Sequence, residues 1–489
     1  MYLYSVALRV CPLLAGVMLV ASCKKDKNED TNQPQTGIEL KTRSVTPSLV
    51  KSLEGFSGLN IYPLISSDDK LEGSPAFVYG AQPDGAGIIK NEAGSGYIMI
   101  NNHEILCSVS RVYLDSSLKP LKGEYIVDKV GGAKKRLCSA TMATVQEHGF
   151  GPLFLTAGES GEESMIHGID PLGDVSLKQT DRTLAALGKC SAENAVPLNK
   201  NAYPGKTAVF IGEDDTPGQV NLYLSNTVGD MKGGKLYMLR RTDGNTIETD
   251  MKVGTSYDVE FVEYDNVAGS TGKQLAVQTV EKKAIQFARV EDLDYGKGSA
   301  ENNRKLYFSA TGISQADKVT PVDGYTMWGR VYQLVLDPSS PLKGKLTPLM
   351  DGNVDPGNSI VNPDNLCVTE NFVYIQEDGD SFYKNNKHDG RIWQYSLATK
   401  GLKPMLEMNH RRNDADFNKK YNPDNDLRTS TWEFGAMYDI SDLIGKPNTF
   451  VVNIHPHTWK DEKFKNADGS GLNDNIEGGQ TVIITGVEK

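Results

Sequence analysis

Residues 361–381, VNPDNLCVTENFVYIQEDGDS, carry oxygen donors at both ends of a strand-length apolar run. Asp364 and Asn365 precede the run, with Asn362 close by, and Glu377, Asp378 and Asp380 end it. Carboxylate and amide oxygens are what a hard cation takes. The pattern recurs. TAVFIGEDD (207–215) ends in Glu213, Asp214 and Asp215, and GPLFLTAGES (151–160) brings Glu159, with Glu162 and Glu163 close behind. Carboxylates gathered at strand ends repel one another unless cations neutralise them. Taken singly, each of these segments reads better as a solvated turn, and recurrence narrows that preference without reversing it.

The elements that would position such residues are short strands. GYIMIN (96–101), GPLFLTAG (151–158), TAVFIGED (207–214), QVNLYLSN (219–226), KLYMLRR (235–241), KLYFSAT (305–311), GRVYQLVL (329–336), NFVYIQED (371–378), GRIWQYSL (390–397) and NTFVVNIH (448–455) are rich in β-branched and aromatic residues. Each is bounded by Gly, Asp, Asn or Pro. Long amphipathic helices are scarce. With 48 glycines and 22 prolines in 489 residues, the chain reads as turn-rich and all-β. A β-propeller is the expected closed architecture, on strand rhythm and not on a repeat signature; a pair of β-sandwiches is the alternative. The net charge of −11 excludes a nucleic-acid partner, which asks for a basic surface.

The leader separates from this body. Residues 5–22 form a short apolar run ending Val20-Ala21-Ser22-Cys23, which resembles a lipobox. The expected organisation is a lipoprotein signal over 1–22, an acylated Cys23 with a polar tether over 23–50, and the propeller over 51–489. Acyl chains on Cys23 would anchor the protein to a cell-envelope membrane without spanning it. Cys107, Cys138, Cys190 and Cys367 remain as buried thiols or disulfide partners, and the sequence does not choose between the possible pairings.

Several segments, in order, resemble the PhoX-type bacterial alkaline phosphatases. They are Asn102-His103-Glu104, Cys138 in RLCSAT, Glu159 in LTAGES, Glu193 in KCSAENA, GEDD (212–215), Arg289 and Glu291 in FARVED, PDNL (363–366), EDG (377–379), WEFG (432–435) and NIHPH (453–457). The resemblance implies a six-bladed propeller with a cysteine-bridged di-iron centre and calcium ions, hydrolysing phosphate monoesters. Cys138 would bridge iron and Arg289 would hold the phosphate. Glu193 and Glu291 would be direct carboxylate ligands, and Glu159, Asp364, Asn365 and Glu377 calcium or iron ligands. Asp214, Asp215 and Glu433 read as ligands or as structural acids, and His103, His455 and His457 as structural imidazoles. The expected partner is a small phosphate ester, and the expected state a monomer.

The chain also departs from that pattern. Ala140-Thr141 follow the cysteine where the family has two glycines, Gly158 replaces one of two glutamates, Ala192 stands for a histidine, and His455-Pro456-His457 replaces His-Pro-Gly. Two further readings are therefore carried: a calcium-only hydrolase of lactonase or phosphotriesterase type, and a non-catalytic surface propeller.

Overall fold

Among residues 38–129, 135–175, 182–379 and 383–489, which the computed structural model describes, all ten apolar alternations form strands. The unit they build runs from Ile38 to Lys489. Cys23 and the leader lie outside the described residues. In chain order the strands are β1 (Val50–Ser52), β2 (Asn60–Ser66), β3 (Pro83–Lys90), β4 (Tyr97–His103), β5 (Ser108–Leu114) and β6 (Pro120–Val127). There follow β7 (Arg136–Ala143), β8 (Leu153–Glu159), β9 (Ile166–Ile169), β10 (Ala192–Pro197), β11 (Thr207–Glu213), β12 (Val220–Ser225), β13 (Lys235–Arg241) and β14 (Tyr257–Glu263). The rest are β15 (Val290–Tyr295), β16 (Lys305–Ala310), β17 (Arg330–Asp337), β18 (Ser340–Asp351), β19 (Pro363–Val368), β20 (Phe372–Glu377), β21 (Arg391–Ser396), β22 (Leu402–Met408), β23 (Glu433–Asp439), β24 (Thr449–His455) and β25 (Gln480–Thr485).

These strands form five antiparallel sheets. β3–β6 and β7–β9 are simple meanders, β19–β22 takes β1 at its edge, and β23–β25 takes β2. The nine-stranded sheet is two meanders, β10–β14 and β15–β18, joined where Tyr257 pairs with Leu346 and Glu260 with Lys343. The first strand of each meander turns inward. β3 packs on β7, β7 on β10, β10 on β15, β15 on β19, β19 on β23, and β23 back on β3. The result is an all-β, propeller-like ring. Its two ends are tied by chain-distant pairing, Val50 with Met408 and Asn60 with Thr485.

The inward strands are the ones without apolar alternation: PDGAGIIK, RLCSATMA, AENAVP, VEDLDY, PDNLCV and EFGAMYD. At the start of their bulges they are buried on both faces, so period-two patterning has no solvent side to mark there. Each also breaks register with its neighbour, between Pro83 and Ala86, Leu137 and Ala140, Ala192 and Ala195, Val290 and Leu293, Pro363 and Leu366, and Phe434 and Met437. A β-bulge bends its strand and re-aims a side chain. The ring therefore carries a bulge at the same level all the way round.

Apolar faces fill the space between sheets. In the nine-stranded sheet Phe308 stacks on Tyr332 at 4.9 Å, and Phe287 meets Phe308 edge-on at 5.3 Å. Between the sheets that contain β22 and β24, the fully buried Trp432 and Phe450 join one cluster. Cys107, Cys138, Cys190 and Cys367 are all buried free thiols. Among the described residues no helix is long and apolar enough to cross a membrane. Phe308→Ala should lower the unfolding free energy by about 3–5 kcal/mol, read by denaturant titration. A loss below about 1 kcal/mol would show that this aromatic cluster is not a keystone of the core.

Candidate metal centre

The bulges deliver the chemistry. Asp84, Cys138, Glu193, Glu291 and Asp364 each occupy the first unpaired position of a bulge. Each is followed by a small or polar residue and then an apolar one: Asp84-Gly85-Ala86, Cys138-Ser139-Ala140, Glu193-Asn194-Ala195, Glu291-Asp292-Leu293 and Asp364-Asn365-Leu366. The next strand of each sheet runs back to the same level. There it adds Glu104 after β4, Glu159 at the end of β8, Asp214 after β11 and Asp378 after β20. All nine side chains line one cavity of ≈ 380 Å³ at this end of the ring.

Two trios of donor atoms stand out. Asp84, Glu104 and Cys138 offer atoms within 4.8 Å of one another, and so do Glu193, Glu291 and Asp364. Glu159 joins the first trio, with its Oε2 3.3 Å from Cys138 Sγ. Glu193 Oε1 accepts from the Ser139 amide at 2.9 Å, which fixes one carboxylate against the neighbouring strand. Asp364 Oδ1 is buried and makes no hydrogen bond. An orphaned carboxylate oxygen among other acids is a position that a cation fits. A thiolate with carboxylates suits a transition ion, and an all-oxygen trio suits a hard ion such as calcium.

Arg289 is the counter-charge. Its Nε and Nη2 donate to Asp214 at 2.7 and 3.2 Å, and Nη1 lies 3.8 Å from Asp378. Nη2 also lies 2.7 Å from Glu291 Oε1, without hydrogen-bond geometry. The backbone of Arg289 is left-handed, with φ 60°. That conformation costs on the order of 1–3 kcal/mol for a side chain of this kind. It persists because the Arg289 amide donates to Asp215 O at 3.0 Å and its carbonyl accepts from Thr311 at 2.9 Å.

Burial sets the charge state. Desolvation, then the neighbouring acids, push the Glu193 and Asp364 carboxyls well up. Desolvation and Asp214 take Glu159 up to about 9. Desolvation raises Glu291 as well, against the pull of Arg289. Burial and then Glu193 hold the Cys138 thiol high. Each of these groups is costly to ionise without a cation beside it.

Of the residues read from the sequence, Arg289, Cys138, Glu159, Glu193, Glu291 and Asp364 meet in this one cavity. Asn365 lies just behind it and accepts from Ser139 Oγ at 2.8 Å. Glu377 is apart and fully engaged, accepting from Val361 N (2.8 Å), Trp393 Nε1 (2.7 Å) and Arg391 N (2.9 Å). Asp214 lines the cavity, Asp215 is exposed, and Glu163 turns to Lys189 at 3.0 Å. His103 is a structural imidazole, bonded to Ser110 Oγ at 2.8 Å. Glu433 and His457 line the cavity wall, with His455 behind them. Asp84 escapes the sequence reading because AQPDGAG looks like a turn. The signal that finds it is the repeated triplet of donor, small or polar residue, apolar residue.

No family model and no curated protein matches the chain. Solved structures do. PhoX of Pseudomonas fluorescens, in complex with vanadate, a transition-state analogue, superposes with a TM-score of 0.60 at 12% identity, over 91% of this chain and 98% of that one. An α-L-arabinofuranosidase of Fusarium graminearum gives 0.37 at 10% identity, over 85% and 96%. An aldose sugar dehydrogenase of Streptomyces coelicolor gives 0.35 at 9% identity, over 87% and 98%. The last two are too loose to carry any argument. The class is thus an all-β, propeller-like fold. Within that class, the chain has a distant PhoX-like fold.

A stability measurement checks the charge cluster. Without cations, the folded chain keeps its raised carboxyls protonated up to about pH 9 for Glu159, whereas the unfolded chain releases those protons near 4.5. The folded state then binds more protons, so stability falls as pH rises through that window. A bound cation holds the same groups ionised and removes the slope. Chelated protein should therefore melt at a lower temperature at about pH 9 than at about pH 7, and added calcium should restore Tm most at the higher pH. Equal Tm at both pH values, unmoved by calcium, would contradict the cluster.

Proposed function

We propose that this chain is a cation-dependent phosphatase that hydrolyses phosphate monoesters, a divergent relative of the PhoX-type enzymes. One observation carries the reading. Six residues picked from five separate places in the sequence for this chemistry, Cys138, Glu159, Glu193, Arg289, Glu291 and Asp364, line a single cavity. We further read the two joined meanders of the nine-stranded sheet as two blades, which makes six around the axis. We also propose that Cys23 anchors the protein to an envelope membrane.

The cavity wall sets the requirement. Twelve carboxylic acids line it against four arginine or lysine side chains. A phosphate ester would be repelled from such a wall unless cations were bound there. Cys138, Asp84, Glu104 and Glu159 would hold a transition ion such as iron, and Glu193, Glu291 and Asp364 a calcium ion. Bound cations neutralise the ester and lower the pKa of water. The chain's own part is to bind and orient. Arg289 has Nε and Nη2 committed to Asp214, which leaves Nη1 to donate to an ester oxygen. Fixing the guanidinium on two sides spares it reorganisation when substrate arrives.

Elemental analysis and phosphatase assays of the purified protein test this together. Iron and calcium should both be present, Cys138→Ala should shed the iron and abolish turnover, and Arg289→Ala should cut kcat/KM by roughly 10²-fold. Calcium without iron, with full activity in Cys138→Ala, would favour the calcium-only hydrolase. A protein with no tightly bound cation and no esterase activity overturns the proposal.

A further inference from the structure

Glu433, His455 and His457 form a third trio of donors, their atoms within 4.8 Å of one another. It differs in kind from the two trios above, having two imidazole nitrogens and one carboxylate. Glu433 opens β23 and pairs directly with His455 at the end of β24. His457 follows two residues on, its ring 85° from that of His455.

The far nitrogen of each ring already has a partner. His455 Nε2 lies 2.9 Å from the Pro83 carbonyl. A carbonyl only accepts, so Nε2 carries the proton. Gly435 keeps this contact open, since a Cβ there would sit 2.8 Å from both His455 Nε2 and Pro83 O. His457 Nδ1 lies 3.3 Å from both the Glu477 carboxylate and Gln82 Nε2, and Gln82 Nε2 also donates to that carboxylate at 2.8 Å. In neutral rings protonated at those far nitrogens, the near nitrogens present lone pairs; in doubly protonated rings they donate to Glu433 instead. His455 Nδ1 and His457 Nε2 converge on the same oxygen, Glu433 Oε2, at 3.3 and 3.2 Å. His455 is fully buried, and its Nδ1 makes no hydrogen bond.

Neutral rings would set two lone pairs against a carboxylate oxygen in a dry wall, an arrangement that needs positive charge there, either protons on the rings or a cation between the three groups. Donors about 2.0–2.1 Å from a tetrahedral zinc ion stand about 3.3 Å apart. The far-side partners are also of the kind that orient metal-bound histidines: a backbone carbonyl for one and a carboxylate for the other. We infer that Glu433, His455 and His457 form a separate site for a borderline divalent ion of the zinc type, with its remaining positions open to the cavity. This site is independent of the cysteine–carboxylate centre and does not need that centre to be catalytic. A hard ion such as calcium takes oxygen ligands and should not compete for two imidazoles.

The test uses Zn2+ and Co2+ as probes in the purified Cys138→Ala protein, so that the thiolate cannot bind either ion. Calorimetric titration should find one Zn2+ equivalent that excess calcium does not displace. Bound Co2+ should give the visible absorption of a low-coordinate site. His457→Ala should lose both signals, and because His457 lies at the cavity wall its removal leaves the buried pairing of β23 and β24 intact. Glu477→Gln should keep the site but weaken Zn2+ by about 10–100-fold. A full Zn2+ equivalent retained in both His457→Ala and Glu433→Gln, or no calcium-resistant equivalent before either change, overturns the inference. The trio would then be an ion pair between protonated imidazoles and Glu433. Neither result bears on whether iron binds at Cys138.

Discussion

The structure depends on one electrostatic constraint: acids are concentrated where there is little water to screen them. Two unit charges 4 Å apart repel by about 4 kcal/mol at an effective dielectric of about 20. Glu193, Glu291 and Asp364 bring their oxygens within 4.8 Å at the same level of the ring, all three nearly inaccessible to solvent. Such a group is held together by protons or by cations. Around it, the fold commits its arginine, its strained backbone position and its bulges to the same place. A surface that merely ended strands in polar turns would need none of these.

The bulges explain how an ordinary sheet can support this cluster. A regular strand would point alternate side chains into the channel and leave the spacing to the pleat. A bulge frees one residue per inward strand and leaves the next residue to brace its neighbours. Ser139 donates to Asn365 at 2.8 Å, and Asn194 donates to Asp292. Asp292 in turn accepts from the Leu366 amide at 2.9 Å. These braces tie together β7, β10, β15 and β19. Donor positions are therefore set by sheet geometry and not by loop conformation, which is how a site is held rigid enough to select an ion.

Sequence reading recovered the framework and lost the lining. All ten segments are strands on their runs of β-branched and aromatic residues, and β4, β11 and β24 are buried along their whole length. PDGAGIIK, AENAVP and PDNLCV carry glycine, proline and acids at the points where alternation would be read, so they pass for turns. They are the strands that hold the site. Cys138 and Glu193 were still found through resemblance, and Asp364 first through its oxygen donor beside a strand-length run; none was found through periodicity. His455 and His457 read as structural because a histidine after a strand usually is. Only the pairing of β23 with β24 places both rings against Glu433.

Glu377 shows why acid-ended strands are ambiguous, and what resolves them. In β20 the last paired residue is Glu377, opposite Pro363, and it is buried among backbone amides, while Asp378 one step on lines the cavity. The same step recurs. His103 pairs with Pro83 and Glu104 lines the cavity; Glu213 pairs with Ala192 and Asp214 lines it; Gly158 pairs with Leu137 and Glu159 lines it. Each time, the residue opposite the start of the bulge is structural and its successor is a donor. A side chain one residue along a strand points to the other face. The functional acid is thus defined by its parity relative to the bulge on the neighbouring strand. In β23 the same pattern holds with other residues: Gly435 takes the donor position and His455 the successor position, while Glu433, paired with His455, reaches the cavity from the preceding pair, as Arg136 is paired with Glu159 in β7. That pairing sets Glu433 opposite His455, and the residue types at these positions give this wall of the cavity nitrogen donors where the other walls have oxygen and sulfur.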